Sequence, residues 1–187
     1  MIPYGTFTFF LIAFIVLIPV IILGFLGKRS YIYNGISTAI MIVIIFASDK
    51  HNLLGQKYLS AQLFCFIIYV IWQVALIMYY YQSRQRKNTF TKFVTIMVLS
   101  ILPLAIVKIL QSSWLGGHQI HFHESKLIEF VGFLGISYVT FKSVQLIMEI
   151  RDGSIKEIKV GKLIQFISFF PTISSGPIDR YKRFVKD

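Results

Sequence analysis

The sequence predicts an all-α integral membrane protein, a polytopic transmembrane helical bundle of about five spans plus a short re-entrant or broken helix. Three observations carry that prediction. Of 187 residues, 56 % are hydrophobic and only 14 % charged, against about 25 % charged in an average soluble domain. The apolar residues collect in stretches that approach or reach the roughly 20 needed to cross a bilayer. The 19 Lys and Arg, set against 8 Asp and Glu, fall largely between those stretches. A net charge of +11 often marks nucleic-acid binding. Here cationic loops at a membrane face account for it, and no nucleic-acid partner is expected. Low charge also excludes a disordered chain, and a lone cysteine, Cys65, excludes a disulfide framework.

The first stretch, Phe7 to Leu26, is uncharged and has no basic residue before it. A signal peptide would place Lys or Arg ahead of an apolar region of about 7–15 residues, so this stretch reads as a retained helix. The second, Tyr31 to Ala47, is marginal in length, whereas the third, Leu59 to Tyr81, and the fourth, Phe93 to Leu110, are clear. The fifth, Leu127 to Ile150, is the first with charges deep inside it. A shorter apolar piece, Leu163 to Ile173, runs into the turn-forming Ser174-Ser175-Gly176-Pro177. At about 1.5 Å per residue it is too short to span comfortably, so re-entry between Leu163 and Ile178 is preferred to a crossing.

Orientation follows from where Lys and Arg collect. Lys28 and Arg29 follow the first stretch, Arg84, Arg86, Lys87 and Lys92 the third, and Arg151, Lys156, Lys159 and Lys162 the fifth. The alternate loops hold only Lys50 and Lys57, and Lys126. The expectation is a multi-pass protein of the cell membrane with its N-terminus extracytoplasmic. Re-entry of the short piece would keep Arg180, Lys182, Arg183 and Lys186 cytoplasmic as well. The loops are short and no internal repeat is present, so residues 1–187 read as a single membrane domain.

Polar residues inside the apolar stretches mark the candidate site. At 100° per residue, Tyr138, Lys142, Gln145 and Glu149 fall within roughly 60° of one another on a helix. A charge at mid-membrane costs about 2.5–3.5 kcal/mol on insertion scales, so the stripe should face protein or a water-filled cavity. Interhelical bonding with snorkelling of Glu149 and a cavity wall both remain open. Lys142 and Glu149 lie roughly 10 Å apart along the axis, so other helices are expected to supply their partners. Lys142 is expected to face the interior and Thr140, on the other side, not to. A milder stripe of Gln62, Tyr69, Gln73 and Tyr80 on the third stretch reads as helix packing, and Lys108 as snorkelling to the interface. His118, His121 and His123 with Glu124 form the one metal-like cluster in sequence. It follows Gly116-Gly117 in a short loop, and no metal site is expected there.

Two stretches resemble a known family. Gly135-Ile136-Ser137-Tyr138-Val139-Thr140-Phe141-Lys142-Ser143 is similar to the Gly-Ile-Ser-Phe-x-Thr-Phe signature of the membrane-bound O-acyltransferase (MBOAT) family. Ser168-Phe169-Phe170-Pro171-Thr172-Ile173-Ser174-Ser175-Gly176-Pro177-Ile178-Asp179-Arg180-Tyr181 resembles the family's Phe-Phe-Pro…Gly-Pro-Ile-x-Arg-Tyr element. Order and spacing both agree. The opening Met1-Ile2-Pro3-Tyr4 and the Ser-Ser-Gly-Pro-Ile-Asp-Arg-Tyr wording look most similar to the branch that D-alanylates lipoteichoic acid in Gram-positive bacteria.

The resemblance implies acyl transfer from a cytoplasmic thioester to a hydroxyl reached from outside, as part of cell-wall biogenesis. The donor would be D-alanine on the phosphopantetheine arm of a small acidic carrier protein. The acceptor would be lipoteichoic acid, or another protein of the D-alanylation pathway outside the cell. The chain itself is expected to hold no cofactor. Alongside the stripe, the resemblance adds Pro171, Ser175, Gly176, Pro177 and Arg180 as candidate cavity or channel lining, with a plain turn at Gly176-Pro177 the alternative. Family members place a catalytic histidine in an apolar stretch downstream of the Gly-Pro-Ile element. No histidine here matches it, because His51, His118, His121 and His123 all precede that element. The expectation is therefore the N-terminal portion of a longer enzyme, with the histidine beyond Asp187 and this portion inactive alone. A general base of that kind contributes about 10²–10⁴-fold. The reading from another class is a non-catalytic membrane scaffold or small transporter, supported by the charged stripe and broken helix alone.

Overall fold

In the computed structural model, the described residues are 7–26, 31–47, 59–86, 89–111, 135–155, 157–169 and 180–186. They form seven helices and, among the described residues, no strand. In chain order these are α1 (Phe7–Phe25), α2 (Tyr31–Ala47), α3 (Leu59–Arg86), α4 (Phe90–Gln111), α5 (Ile136–Arg151), α6 (Val160–Ser168) and α7 (Tyr181–Lys186). Two compact units divide the chain, Met1–Leu63 and Phe64–Asp187. In the first, α1 and α2 pack on each other.

The second unit is built from α3 to α7. Along α3 the buried residues are Phe66, Tyr69, Val70, Gln73, Leu76, Ile77 and Tyr80. Their three- and four-residue spacing is one face of an α-helix. The remaining surface of α3 exposes Phe64, Ile67, Ile68, Ile71 and Tyr79, and α4 likewise exposes Val94, Val98, Ile101, Leu102 and Ile106. In a helix turned to water that surface would be polar. An exposed face as apolar as the buried one fits lipid. Among the described residues, two segments are long and apolar enough to cross a bilayer, Leu63–Gln85 and Phe90–Ile109. Shorter apolar stretches occupy Leu11–Leu23 in α1 and Ile32–Ile44 in α2.

The expected fifth stretch, Leu127 to Ile150, is helical from Ile136 onward, and residues 127–134 lie outside the described ones. Sixteen helical residues rise about 24 Å, short of a 30 Å hydrocarbon core. Gly135 enters α5 with φ +95°, a left-handed backbone that a Cβ would strain, which explains glycine at the head of the first motif. The helix closes on Gly153 at φ +75°. The Gly153 amide bonds the Ile150 carbonyl at 3.2 Å and the Ser154 amide bonds the Glu149 carbonyl at 3.1 Å, a Schellman ending. Only nine residues long, α6 buries Leu163, Phe166, Ile167 and Ser168, and it packs against both α5 and α7.

Candidate functional site

Two polar systems tie α5 to its neighbours. The first joins three helices. Ser100 on α4 donates through Oγ to Gln73 Oε1 at 2.8 Å. Gln73 Nε2 in turn donates to the Ser100 carbonyl at 3.0 Å and to the Tyr69 hydroxyl at 2.8 Å. The Tyr69 hydroxyl bonds Thr140 Oγ1 on α5, and Thr140 donates to the Ile136 carbonyl at 2.7 Å. Because the single Thr140 proton goes to Ile136, Tyr69 must be the donor to Thr140. Every group in the chain is then satisfied, as a buried network requires.

The second system joins α5 to α6. Lys142 is 2 % exposed. Its Nζ donates to the carbonyls of Phe166 at 3.1 Å and Ile167 at 3.4 Å, and sits 5.7 Å from the centroid of the Phe166 ring. Those carbonyls belong to the last turn of α6, which has no helical partners for them. An ammonium at a helix C-terminus also meets the negative end of the helix dipole. The Phe166 ring packs edge-on against Tyr181 and Phe184 of α7, both at 5.4 Å between centroids. Burial pushes the Tyr181 phenol up from its ordinary pKa, and a bond from the Lys159 backbone opposes that. Lys142 therefore sits where the first motif meets the residues that immediately precede the second.

The other stripe residues are placed differently. Tyr138, Gln145 and Glu149 are half-buried, and Gln145 Nε2 lies 3.4 Å from Glu149 Oε1. Arg180 is exposed just before α7. Pro171, Ser175, Gly176 and Pro177 lie outside the described residues, as do His51, His118, His121, His123 and Glu124. Thr140 corrects the expectation made for it: it is completely buried. The buried residues of α5 run from Lys142 through Leu146, Val139, Ile150, Ser143, Ile136 and Ile147 to Thr140. At 100° per residue that arc is about 160° wide, with Lys142 at one edge and Thr140 at the other. The charged stripe thus follows the rim of the buried surface. Phe166 and Tyr181 were not singled out, although their place beside or within the second motif was a usable signal.

No family model matches the chain. Among curated proteins, the teichoic acid D-alanyltransferase of Bacillus subtilis (strain 168) is 46 % identical over 188 residues, taking in all of this chain and 44 % of that protein. Over its whole length the chain is similar to teichoic acid D-alanyltransferases. The protein of that name from Lacticaseibacillus rhamnosus is 42 % identical over 99 % of this chain and 42 % of its own length. That of Streptococcus thermophilus is 33 % identical over 99 % of this chain and 40 % of its own length. The chain thus spans less than half the length of these curated relatives.

Proposed function

We propose that this chain is the part of a membrane O-acyltransferase that couples its two sequence motifs, in an enzyme that transfers D-alanine toward teichoic acid. The observation that carries the reading is the Lys142 contact with the C-terminal turn of α6. It fastens the helix of the first motif to the residues immediately preceding the second, within a sequence like teichoic acid D-alanyltransferases throughout. The donor in this reading is D-alanine on the phosphopantetheine thioester of an acidic carrier protein. Basic loops on the cytoplasmic side would attract that carrier. The acceptor is lipoteichoic acid or a pathway protein that relays the D-alanine to it. The base that accepts the acceptor's proton is a histidine supplied by a further part of the enzyme. In this chain the role is positional: to hold α5, α6 and the second motif as one wall of the reaction path.

The membrane part of the reading has about five spans, an extracytoplasmic N-terminus and re-entry after α6. It rests on the Lys and Arg asymmetry of the loops and the apolar outer faces of α3 and α4.

The test of function is D-alanine ester content of lipoteichoic acid in cells whose only copy of the full-length enzyme carries Lys142→Leu, compared with Met148→Leu on the exposed side of α5. We expect Lys142→Leu to lower esters at least tenfold at equal protein level, and Met148→Leu to leave them within about twofold. Equal and small effects would remove Lys142 from the working part of the enzyme.

A further inference from the structure

Among the described residues, one end of the α3–α4–α5 bundle holds donors without acceptors. Tyr80 is 2 % exposed, yet its hydroxyl has no hydrogen-bond partner among the described residues, and the buried Nε of Arg84 has none either. The Arg84 guanidinium lies against the bare Cα of Gly153, where an added Cβ would come within 3.1 Å of Nη2. Arg151 stacks 4.4 Å from the centroid of Phe93, whose ring is 6.2 Å from that of Tyr80. The charges of Arg84, Arg151 and Asp152 all act on the Tyr80 hydroxyl. Two guanidinium groups thus lie beside two donors that have no partner among the described residues. Donors held in that way match an anionic oxygen.

We propose that this cluster binds the phosphate of an anionic phospholipid headgroup. The depth favours lipid, because the apolar segments Leu63–Gln85 and Phe90–Ile109 end and begin at this cluster, where headgroups lie. Beside it the rings of Tyr79 and Phe90 are 60 % and 68 % exposed, an apolar shoulder for acyl chains. Both donors are covered in this structure, so the half-buried Arg84 side chain swings outward to admit the phosphate; Tyr80 and Arg84 then donate to its oxygens, with Arg151 on the Phe93 side. Glycine at 153 leaves room for Arg84. The proposal rests on α3 and α4 crossing the bilayer and is independent of acyl transfer.

The experiment titrates the purified full-length protein with phosphatidylglycerol or phosphatidylcholine in detergent and counts retained lipid by native mass spectrometry. Tyr80→Phe is the decisive variant, since it removes a hydroxyl with no partner among the described residues and should fold. We expect phosphatidylglycerol to bind at least tenfold more tightly than phosphatidylcholine. Tyr80→Phe and Arg84→Gln should each weaken it about tenfold, the worth of one bond to a charged oxygen. Lys92→Gln removes an exposed charge that bonds Ser83 at the same end, and should change binding less than about twofold. Equal retention of the two lipids, or unchanged binding in Tyr80→Phe and Arg84→Gln, would overturn the proposal. So would displacement of the lipid by inorganic phosphate at equal concentration, which would make the site one for free phosphate. Loss of carrier-protein binding in Arg84→Gln with lipid binding unchanged would overturn it in favour of a protein partner.

Discussion

Replacing Lys142 by methionine keeps most of the side-chain volume and removes the ammonium, so it isolates what the charge does. Two opposing effects of similar size are at stake. Returning the ammonium to water on unfolding is favourable by several kcal/mol, and that penalty of burial disappears in the variant. Against it stand two bonds from a charged donor, each worth about 1.5–3 kcal/mol, and a cation over Phe166 worth about 0.5–2 kcal/mol. Global stability should therefore move little, by about 1 kcal/mol in either direction. The local effect has no such compensation. The Phe166 and Ile167 carbonyls in the last turn of α6 lose their donor, and an unmet buried carbonyl costs about 1–3 kcal/mol. The end of α6 should open more often, by roughly tenfold or more. Hydrogen–deuterium exchange resolved to peptides reads this directly. Peptides covering Val160–Ser168 should exchange about tenfold faster in Lys142→Met, while those covering Phe64–Tyr80 of α3 should not change. Unchanged exchange across α6 would show that Lys142 does not hold that helix end, and the coupling of the two motifs would lose its physical basis.

The remaining predictions test other joints. In a double-mutant cycle of Tyr69→Phe and Gln73→Leu, chemical unfolding should give a coupling of about 0.6 kcal/mol and no more than about 1.7 kcal/mol, the range of interhelical bonds in membranes; strict additivity would deny that the network acts as a unit. Gly135→Ala should destabilise by about 1–2 kcal/mol in the same assay, because φ +95° carries the left-handed penalty for any residue with a Cβ; a neutral result would mean the entry to α5 has another conformation in solution. For topology, a cysteine at Arg86 should label only after the membrane is permeabilised, and one at His121 should label in intact cells; the reverse pattern would invert the orientation.

Much of the helix layout was legible because apolar runs and basic punctuation are properties of local sequence. The helices Tyr31–Ala47 and Phe90–Gln111 lie within a few residues of the stretches read for them. α3 runs on to Arg86, past the expected end at Tyr81, since polar residues continue a helix beyond the bilayer without changing its backbone. Of the stripe Gln62, Tyr69, Gln73 and Tyr80, the last three are buried, and the side chain of Gln62 lies outside the described residues. Thr140 was not legible. The charges of α5 point to a single interior direction, whereas the buried arc is set by which helices flank it. With α3 on one side and α6 on the other, residues far apart around the axis are both inside. The carbonyl partners of Lys142 were invisible for a different reason: a main-chain acceptor leaves no mark in residue identity.

The first motif can then be understood position by position without asking it to perform chemistry. Gly135 supplies the left-handed entry, Thr140 takes the bond from Tyr69, and Lys142 fastens the end of α6. Ser143 is small enough to be fully buried and returns its proton to the Val139 carbonyl at 2.9 Å. The hydroxyl protons of Thr140 and Ser143 are thus already committed to backbone oxygens one turn back. The Lys142 ammonium is committed to the end of a neighbouring helix. A general base must offer an open lone pair to the reacting hydroxyl. An ammonium, as Lys142 is in its charged form, has no lone pair to offer. The polar content of α5 is consistent with fixing geometry on both of its flanks at once.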